Sequence, residues 1–484
     1  MQRVLNNCVK VNNATLYVMI RTLVPLRFFL VTVFFVALSF NTVFAQISFE
    51  GKDVPPIKKS LALKPPMGWN SWDCLGWGAT EQEVRAAASY MAKNLKHLGY
   101  EYIVVDMLWY GDENAIKFED FVQETISKTP GYNVDKYARL WPDVKRFPSS
   151  SNSRGFKPLS DYVHSLGLKF GVHLLRGIPW QVKNDTMVIK NTTINAMTIA
   201  QPDNGCEWYD GFYGVDMSMK GAQQYYNSVF ELYAQWGVDF VKADDIINIP
   251  ELEAISIASR LSGRDMVLSV VPSDLPIAAL KANAHMSRTG ADFWDVWEML
   301  KRGFPVAAAA AKNSEPGFWP DLDMLPVGKL GLKISYKGPD ARISRFNKDE
   351  LHTLLTLWYI SKMPLMVGGY LPQTDALTLK LLQNKEALEV NRNSVNNKQI
   401  KFKNAHIIWI ADLPQSADSK YLAFFNQWES KVPIKPTVTW QELGLSGNEY
   451  KVRDLWAQKE LGSFKNNFTY PVNAHGARLF KIYK

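Results

Sequence analysis

The sequence predicts a (β/α)8 TIM barrel followed by a C-terminal antiparallel β-sandwich. Three observations carry this. Between residues 65 and 385, eight short runs rich in Val, Ile and aromatic residues alternate with segments of helical period, a count and length that suit such a barrel. After about Asn391 the pattern changes to short alternating runs separated by turns. A chain of 484 residues, 47% apolar and only 21% charged, also has more to bury than one ordinary core holds.

The apolar runs place strands at 67–72, 100–109, 168–175, 238–244, 266–271, 285–292, 318–325 and 365–369. Thr80 and Glu83 form a capping box, and Val84, Ala87, Ala88, Met91 and Leu95 give the helix behind it one apolar face. The helix before the fourth strand carries Ala222, Tyr226, Val229, Phe230 and Tyr233 on one stripe. Further helices are expected around 275–284, 294–311 and 348–362. Two long insertions, 111–155 and 177–220, follow strands two and three, so both project from the C-terminal face, where barrels place their chemistry. The sandwich strands fall at 400–402, 406–410, 421–426, 432–439, 450–454 and 478–482. The expected division is 1–45 leader, 46–393 barrel and 394–484 sandwich, the last a buttress for the barrel.

The leader is read from Arg21 and Arg27 ahead of an apolar run over 28–40, ending in Val43-Phe44-Ala45-Gln46. Cleavage is expected after Ala45, and Met19 begins a leader of more usual length. The run is short for a membrane span of ~20 residues. The destination expected is periplasmic or extracellular, with no stable membrane span after cleavage. Net charge is +8, but the leader holds four basic residues and no acid, which leaves +4. No basic stripe marks the rest, which excludes a nucleic-acid partner. Cys8 leaves with the leader; Cys74 and Cys206 lie too far apart in sequence for pairing to be read. No His-Glu-x-x-His or Cys-x-x-Cys occurs, so no metal and no cofactor are expected. The Asn-x-Thr triplets at Asn184, Asn191 and Asn467 matter only in a glycosylating host.

Acids gather at predicted strand ends: Asp106 on strand two, Asp244 and Asp245 on strand four, Asp292 on strand six, Asp321 and Asp323 on strand seven. Lys242 shares the face of Asp244, and Arg288 precedes Asp292. Any single Asp there could cap the next helix. Several converging on one cavity are the arrangement that cleaves glycosides, one carboxylate attacking while one carboxylic acid protonates the leaving oxygen. A magnesium site for phosphoryl chemistry is the rival, but the chain has no Gly-rich phosphate loop. Trp69, Trp72, Trp109, Trp294 and Trp319 suit a sugar ring better.

An ordered set of motifs runs through the same strand ends. It opens with Pro65-Pro66-Met67-Gly68-Trp69-Asn70-Ser71-Trp72 and Gly99-Tyr100-Glu101-Tyr102 leading to Asp106. It continues with Arg146-Phe147-Pro148, Trp236-Gly237-Val238-Asp239 leading to Lys242-Ala243-Asp244, Arg288 with Asp292, and Asp321-Leu322-Asp323-Met324-Leu325. Over about 62–393 this resembles glycoside hydrolase family 27, the α-galactosidase or melibiase group. The resemblance implies a retaining hydrolase that releases terminal α-D-galactose from oligo- or polysaccharides through a covalent glycosyl-enzyme. By position, Asp244 matches the nucleophile of the family's Lys-x-Asp motif and Asp292 its acid/base. Trp72, Asp106, Lys242, Arg288 and Asp323 then hold sugar hydroxyls or steer the two acids. His173 is either a sugar contact or a satisfied barrel-end histidine.

Four departures bear on the sugar. Met107 stands where the family's α-galactosidases usually carry a second Asp, and His173 where they have Tyr. Asp245-Ile246 replace a frequent Asn-Cys, which removes a disulfide, and Val271-Pro272-Ser273-Asp274 replace a Cys-Glu-Trp stretch that reads the 2-position. Within the family the alternatives are β-L-arabinopyranosides, which match galactose without its exocyclic carbon, and isomaltose units of dextran. Outside it the alternative is a sugar-binding protein that has lost catalysis, which the presence of both acids disfavours.

Overall fold

Parallel strands buried on both faces form the centre of the molecule. The computed structural model describes residues 53–484 except 113–130, 184–185, 210, 334–339, 404, 415 and 431. The expected leader, Cys8 and Asn184 lie outside the described residues. β1 (Met67–Asn70), β2 (Tyr102–Val105), β3 (Lys169–Leu175), β4 (Phe240–Ile246), β5 (Val267–Pro272), β6 (Met286–Arg288), β7 (Trp319–Asp321) and β8 (Leu365–Val367) pair in sequence order. β8 returns to β1 through Met67 and Leu365, and Leu325 beyond β7 bridges Val367, so the ring closes. Tyr102, Val104, Phe240, Val267, Met286, Met324 and Met366 fill its interior. Gly68 allows β1 to approach β2, since a Cβ there would lie 2.4 Å from the Tyr102 carbonyl oxygen.

Helices follow each strand. α1 (Glu81–Asn94) starts at the expected capping box, with Thr80 N donating to Glu83 Oε2 at 3.0 Å. α2 (Lys157–Ser165) and α3 (Ala222–Trp236) follow, and α3 ends on Gly237 in the left-handed region, φ 78°. Next come α4 (Ile249–Leu261), α5 (Ile277–Asn283), α6 (Trp297–Ala310), α7 (Lys348–Ile360), α8 (Ala376–Leu382) and α9 (Lys385–Asn393). α4 carries no single apolar stripe, because Glu251, Leu252, Ala254, Ile255, Ser256, Ala258 and Ser259 are all buried.

Strands six and seven are shorter than their apolar runs. The chain turns after Arg288, whose Nε donates to the Gly290 carbonyl, and Asp323 takes a left-handed φ of 88°. Both breaks place acids on loops at the barrel mouth instead of in the sheet.

The C-terminal segment forms β9 (Val395–Lys403), β10 (His406–Leu413), β11 (Ser416–Asn426), β12 (Thr437–Thr439), β13 (Glu449–Asp454), β14 (Lys459–Lys465), β15 (Asn467–Thr469) and β16 (Ala477–Tyr483). One antiparallel sheet runs β9-β10-β11-β16-β13-β14, and β12-β15 make a second layer. Alternation along β10 divides its side chains. Ile408 and Ile410 enter the sandwich core with Leu422, Phe424 and Phe468, while Ile407, Trp409 and Ala411 join the core that extends from the barrel. Across that junction Trp456 Nε1 donates to Thr356 Oγ1 at 2.8 Å and Asn384 Nδ2 to the Leu455 carbonyl at 2.8 Å. Cys74 and Cys206 are buried free thiols. No helix among the described residues is long and apolar enough to cross a membrane.

Candidate active site

The C-terminal ends of the barrel strands open into one cavity of about 550 Å³. Trp72, Asp106, Lys242, Asp244, Arg288, Asp292 and Asp323 all line it. Of the aromatic residues expected at a sugar ring, only Trp72 and Trp294 do so. Trp69, Trp109 and Trp319 are core residues, their indole nitrogens donating to the carbonyls of Gly369, His173 and Ala62.

Asp106 follows β2 directly and is buried. Asn70 Nδ2 donates to its Oδ2 at 2.6 Å, Lys242 Nζ at 3.0 Å, and the Met107 backbone N to Oδ1 at 2.8 Å. Burial works against its charge, yet Lys242, His173 and these donors hold the carboxyl well below the usual range. Lys242 is largely shielded from solvent, and Asp106, Asp244 and Asp323 keep it firmly charged.

Asp244 lies at the end of β4. His173 Nε2 meets its Oδ2 at 3.1 Å and the Asp245 backbone N donates to its Oδ1 at 2.8 Å. Burial again opposes ionisation, and His173 with Lys242 outweighs it, so the carboxyl titrates below its ordinary value. Asp244 is therefore an oriented anion. His173 does not line the cavity: it is fully buried, and its Nδ1 has no hydrogen-bond partner among the described residues. Since a carboxylate only accepts, the shared proton sits on His173 Nε2. Of the two roles open to His173, its burial and its bond to Asp244 fit the barrel-end histidine.

Asp292 contrasts with it. Its side chain is 64% exposed, against 17% for Asp244. Arg288 joins the two loops, Nη2 to Asp292 Oδ1 at 2.8 Å and Nη1 to Asp323 Oδ1 at 2.7 Å. Asp323 Oδ2 accepts from Phe293 N at 2.9 Å. One carboxyl is thus deep and fixed, and the other sits exposed at the mouth.

Six acids, Asp73, Asp106, Asp244, Asp292, Asp321 and Asp323, share this region with Lys242 and Arg288, and Arg342 lies near Asp73. They do not all ionise. Asp73 was not marked by strand-end reasoning. It lines the cavity, its Oδ2 has no partner among the described residues, and burial followed by Asp323 lifts it well above the usual range. Gly368 makes room for it, since a Cβ there would lie 1.9 Å from Asp73 Oδ2. Burial, then Asp323, raises Asp321 to about 6.

A pH signature follows for Asp321→Asn. Below about pH 4, folded and unfolded chains both hold the Asp321 proton and the substitution is neutral. Between about 4 and 6 the unfolded wild type releases it while the folded protein keeps it, so wild-type stability falls. Thermal unfolding at pH 4 and pH 7 should show the variant gaining at pH 7 only, by up to roughly 3 kcal/mol. An equal effect at both values would contradict the raised titration.

Further residues complete the wall: Trp208 and Tyr209 from the insertion after β3, Phe293 and Trp294 beside Asp292, and Met107, Val271 and Met324. Asp245 and Asp323 both adopt left-handed φ, 59° and 88°, the kind of backbone strain that concentrates at functional sites. No group of three or more His, Cys, Asp or Glu suited to a metal occurs among the described residues.

Residues 209–393 match the family model described as alpha galactosidase A, and 403–482 match the alpha galactosidase C-terminal beta sandwich domain. The structure is similar to that of a GH27 β-L-arabinopyranosidase from Geobacillus stearothermophilus, with 41% identity, a TM-score of 0.82, and 88% of this chain and 98% of that one covered. The chain is 27% identical over 435 residues to an α-galactosidase of Coffea arabica, covering 88% of this chain and 95% of that protein. With an α-galactosidase of Cyamopsis tetragonoloba it shares 26% over 441 residues, 88% of this chain and 87% of the relative.

Proposed function

The chain belongs to glycoside hydrolase family 27 and is a glycoside hydrolase, and from that premise we propose that it is a retaining exo-glycosidase removing terminal α-D-galactosyl units from oligo- or polysaccharides. The observation that carries this reading is the pairing of a deep, doubly hydrogen-bonded Asp244 anion with the exposed Asp292 on Arg288.

In the first step Asp244 attacks the anomeric carbon, the bond to the leaving oxygen breaks, and Asp292 gives that oxygen its proton. A glycosyl ester on Asp244 results. In the second step Asp292, now a carboxylate, takes a proton from water as the water oxygen attacks the anomeric carbon and frees Asp244. Two inversions return the original configuration. His173 and the Asp245 N–H keep Asp244 aimed. Asp106, Lys242 and Asp323 offer charged hydrogen-bond partners to ring hydroxyls, and Trp72 an apolar face.

Met107 favours a second reading. It lines the cavity where the family's α-galactosidases usually carry an acid. A thioether is a poor acceptor for a hydroxyl on an exocyclic carbon, and β-L-arabinopyranose has no such carbon. The similarity to the Geobacillus arabinopyranosidase supports the same preference. Nitrophenyl glycosides decide between the readings: α-D-galactoside, β-L-arabinopyranoside, α-N-acetylgalactosaminide and α-D-glucoside. A higher kcat/KM on the galactoside supports the first reading, and on the arabinoside the second. Turnover of the glucoside alone would contradict both. Met107→Asp should raise the galactoside-to-arabinoside ratio of kcat/KM by about tenfold or more, and an unchanged ratio would remove Met107 from sugar selection.

Export belongs to the same proposal and rests on the leader pattern of residues 1–45. Expressed in an exporting host, the protein should reach the periplasm or medium beginning at Gln46, whereas retention at full length would contradict it.

A further inference from the structure

The insertion between β3 and α3 brings an aromatic side chain to the cavity mouth and ties it down by charge. Trp208 is 49% exposed, although large aromatic rings are usually well buried. Its Nε1 donates to Asp245 Oδ1 at 3.1 Å. The other oxygen of Asp245 accepts from Arg176 Nε at 2.9 Å. Arg176, only 2% exposed, sends Nη1 to the Asn204 carbonyl at 3.0 Å and Nη2 to the Gly205 carbonyl at 2.9 Å. One buried guanidinium therefore grips both the insertion and the residue that follows the nucleophile.

This arrangement stands where the family's frequent disulfide is missing. Cys206 lies in the gripped segment as a free thiol, and Asp245-Ile246 carry no cysteine to meet it. A planar guanidinium with several donors fixes a loop by geometry as well as charge. Asp245 holds its left-handed backbone while its own N–H bonds Asp244, so the tether is rooted at the reacting centre.

The sugar under attack must lie against Asp244, deep in the cavity. The leaving oxygen must face Asp292, which is exposed at the mouth, and Trp208 lines that same cavity. We infer that Trp208 is a stacking platform for a ring-shaped leaving group, a sugar or an aryl ring, and that Asp245 and Arg176 are positioning residues that hold it there. The inference rests on the glycosidase reading above and adds to it the class of group that departs.

The test compares two substrates with the same glycone, the nitrophenyl glycoside and the glycosyl fluoride, by kcat/KM. Fluoride leaves without presenting a ring. Trp208→Ala should lower kcat/KM on the nitrophenyl glycoside about tenfold or more, mainly through KM, and change the fluoride by less than about threefold. Trp208→Phe keeps a ring and drops the tether, and Asp245→Ala removes its acceptor; both should show the same selective loss, smaller in size. Equal losses on both substrates would mean damage to the reacting centre and would overturn the inference, as would unchanged kinetics on the nitrophenyl glycoside. A wild type inert on both substrates would instead overturn the glycosidase reading, and this inference with it.

Discussion

Asp244→Ala is expected to lose on the order of 10⁴-fold or more in kcat while remaining folded. The loss follows because a covalent step disappears, not because a contact weakens. The fold should survive, since Lys242, the cation that would be left facing a gap, keeps its 3.0 Å bond to Asp106. The substitution also makes room for a small anion. Added azide should enter from the face Asp244 occupied, bond its terminal nitrogen to the anomeric carbon, and release nitrophenolate as a glycosyl azide of inverted configuration forms. Activity within about tenfold of wild type would remove Asp244 from the chemistry. Loss without azide rescue, with unfolding on heating shifted far down, would point to collapse of the site instead.

Asp292→Ala should cost an amount that depends on the leaving group. A sugar alcohol departs poorly without a proton, so about 10²–10⁴-fold is expected for an oligosaccharide. A dinitrophenolate needs no proton to leave, so its glycosylation step should change far less. Folding should barely be touched: the Asp292 side chain is 64% exposed, and Arg288 retains Asp323 at 2.7 Å. The same loss for both leaving groups would contradict the acid role and make Asp292 a binding residue. The contrast between the two variants separates the deep anion from the acid at the mouth more sharply than either does alone.

The barrel was legible because parallel strands buried on both faces read as unbroken apolar runs, and the first polar residue after each run marks the mouth. Asp106 and Asp244 were found in that way, and Lys242 because it shares the face of Asp244. The rule overran on 285–292 and 318–325, because a turn at Gly290 and the left-handed Asp323 break the strands without interrupting their composition. α4 escaped because its buried face includes Glu251, Ser256 and Ser259, which breaks up the apolar stripe. Three tryptophans were placed at a sugar and belong to the core, since composition does not tell an indole that stacks from one that packs.

Within the site, what stayed hidden depended on partners distant in sequence. The β3–β4 register sets His173 opposite Lys242 and Leu175 opposite Asp244, and only that register turns His173 onto the Asp244 carboxyl. Asp73 gains its meaning from its burial in the folded chain and from Asp323, far away in sequence. Trp208 lies in an insertion without strand or helical period, and its tether to Asp245 is a feature of the folded chain alone.

The central claim is that Asp244 carries the glycosyl group between two displacements. It is tested most directly by trapping that ester with a slow 5-fluoroglycosyl fluoride of the preferred sugar, digesting the protein and locating the added mass. The account predicts one label, on the peptide containing Asp244, absent from Asp244→Ala and discharged with time. A label on another carboxyl, or no label together with a first-formed product of inverted configuration, would contradict it.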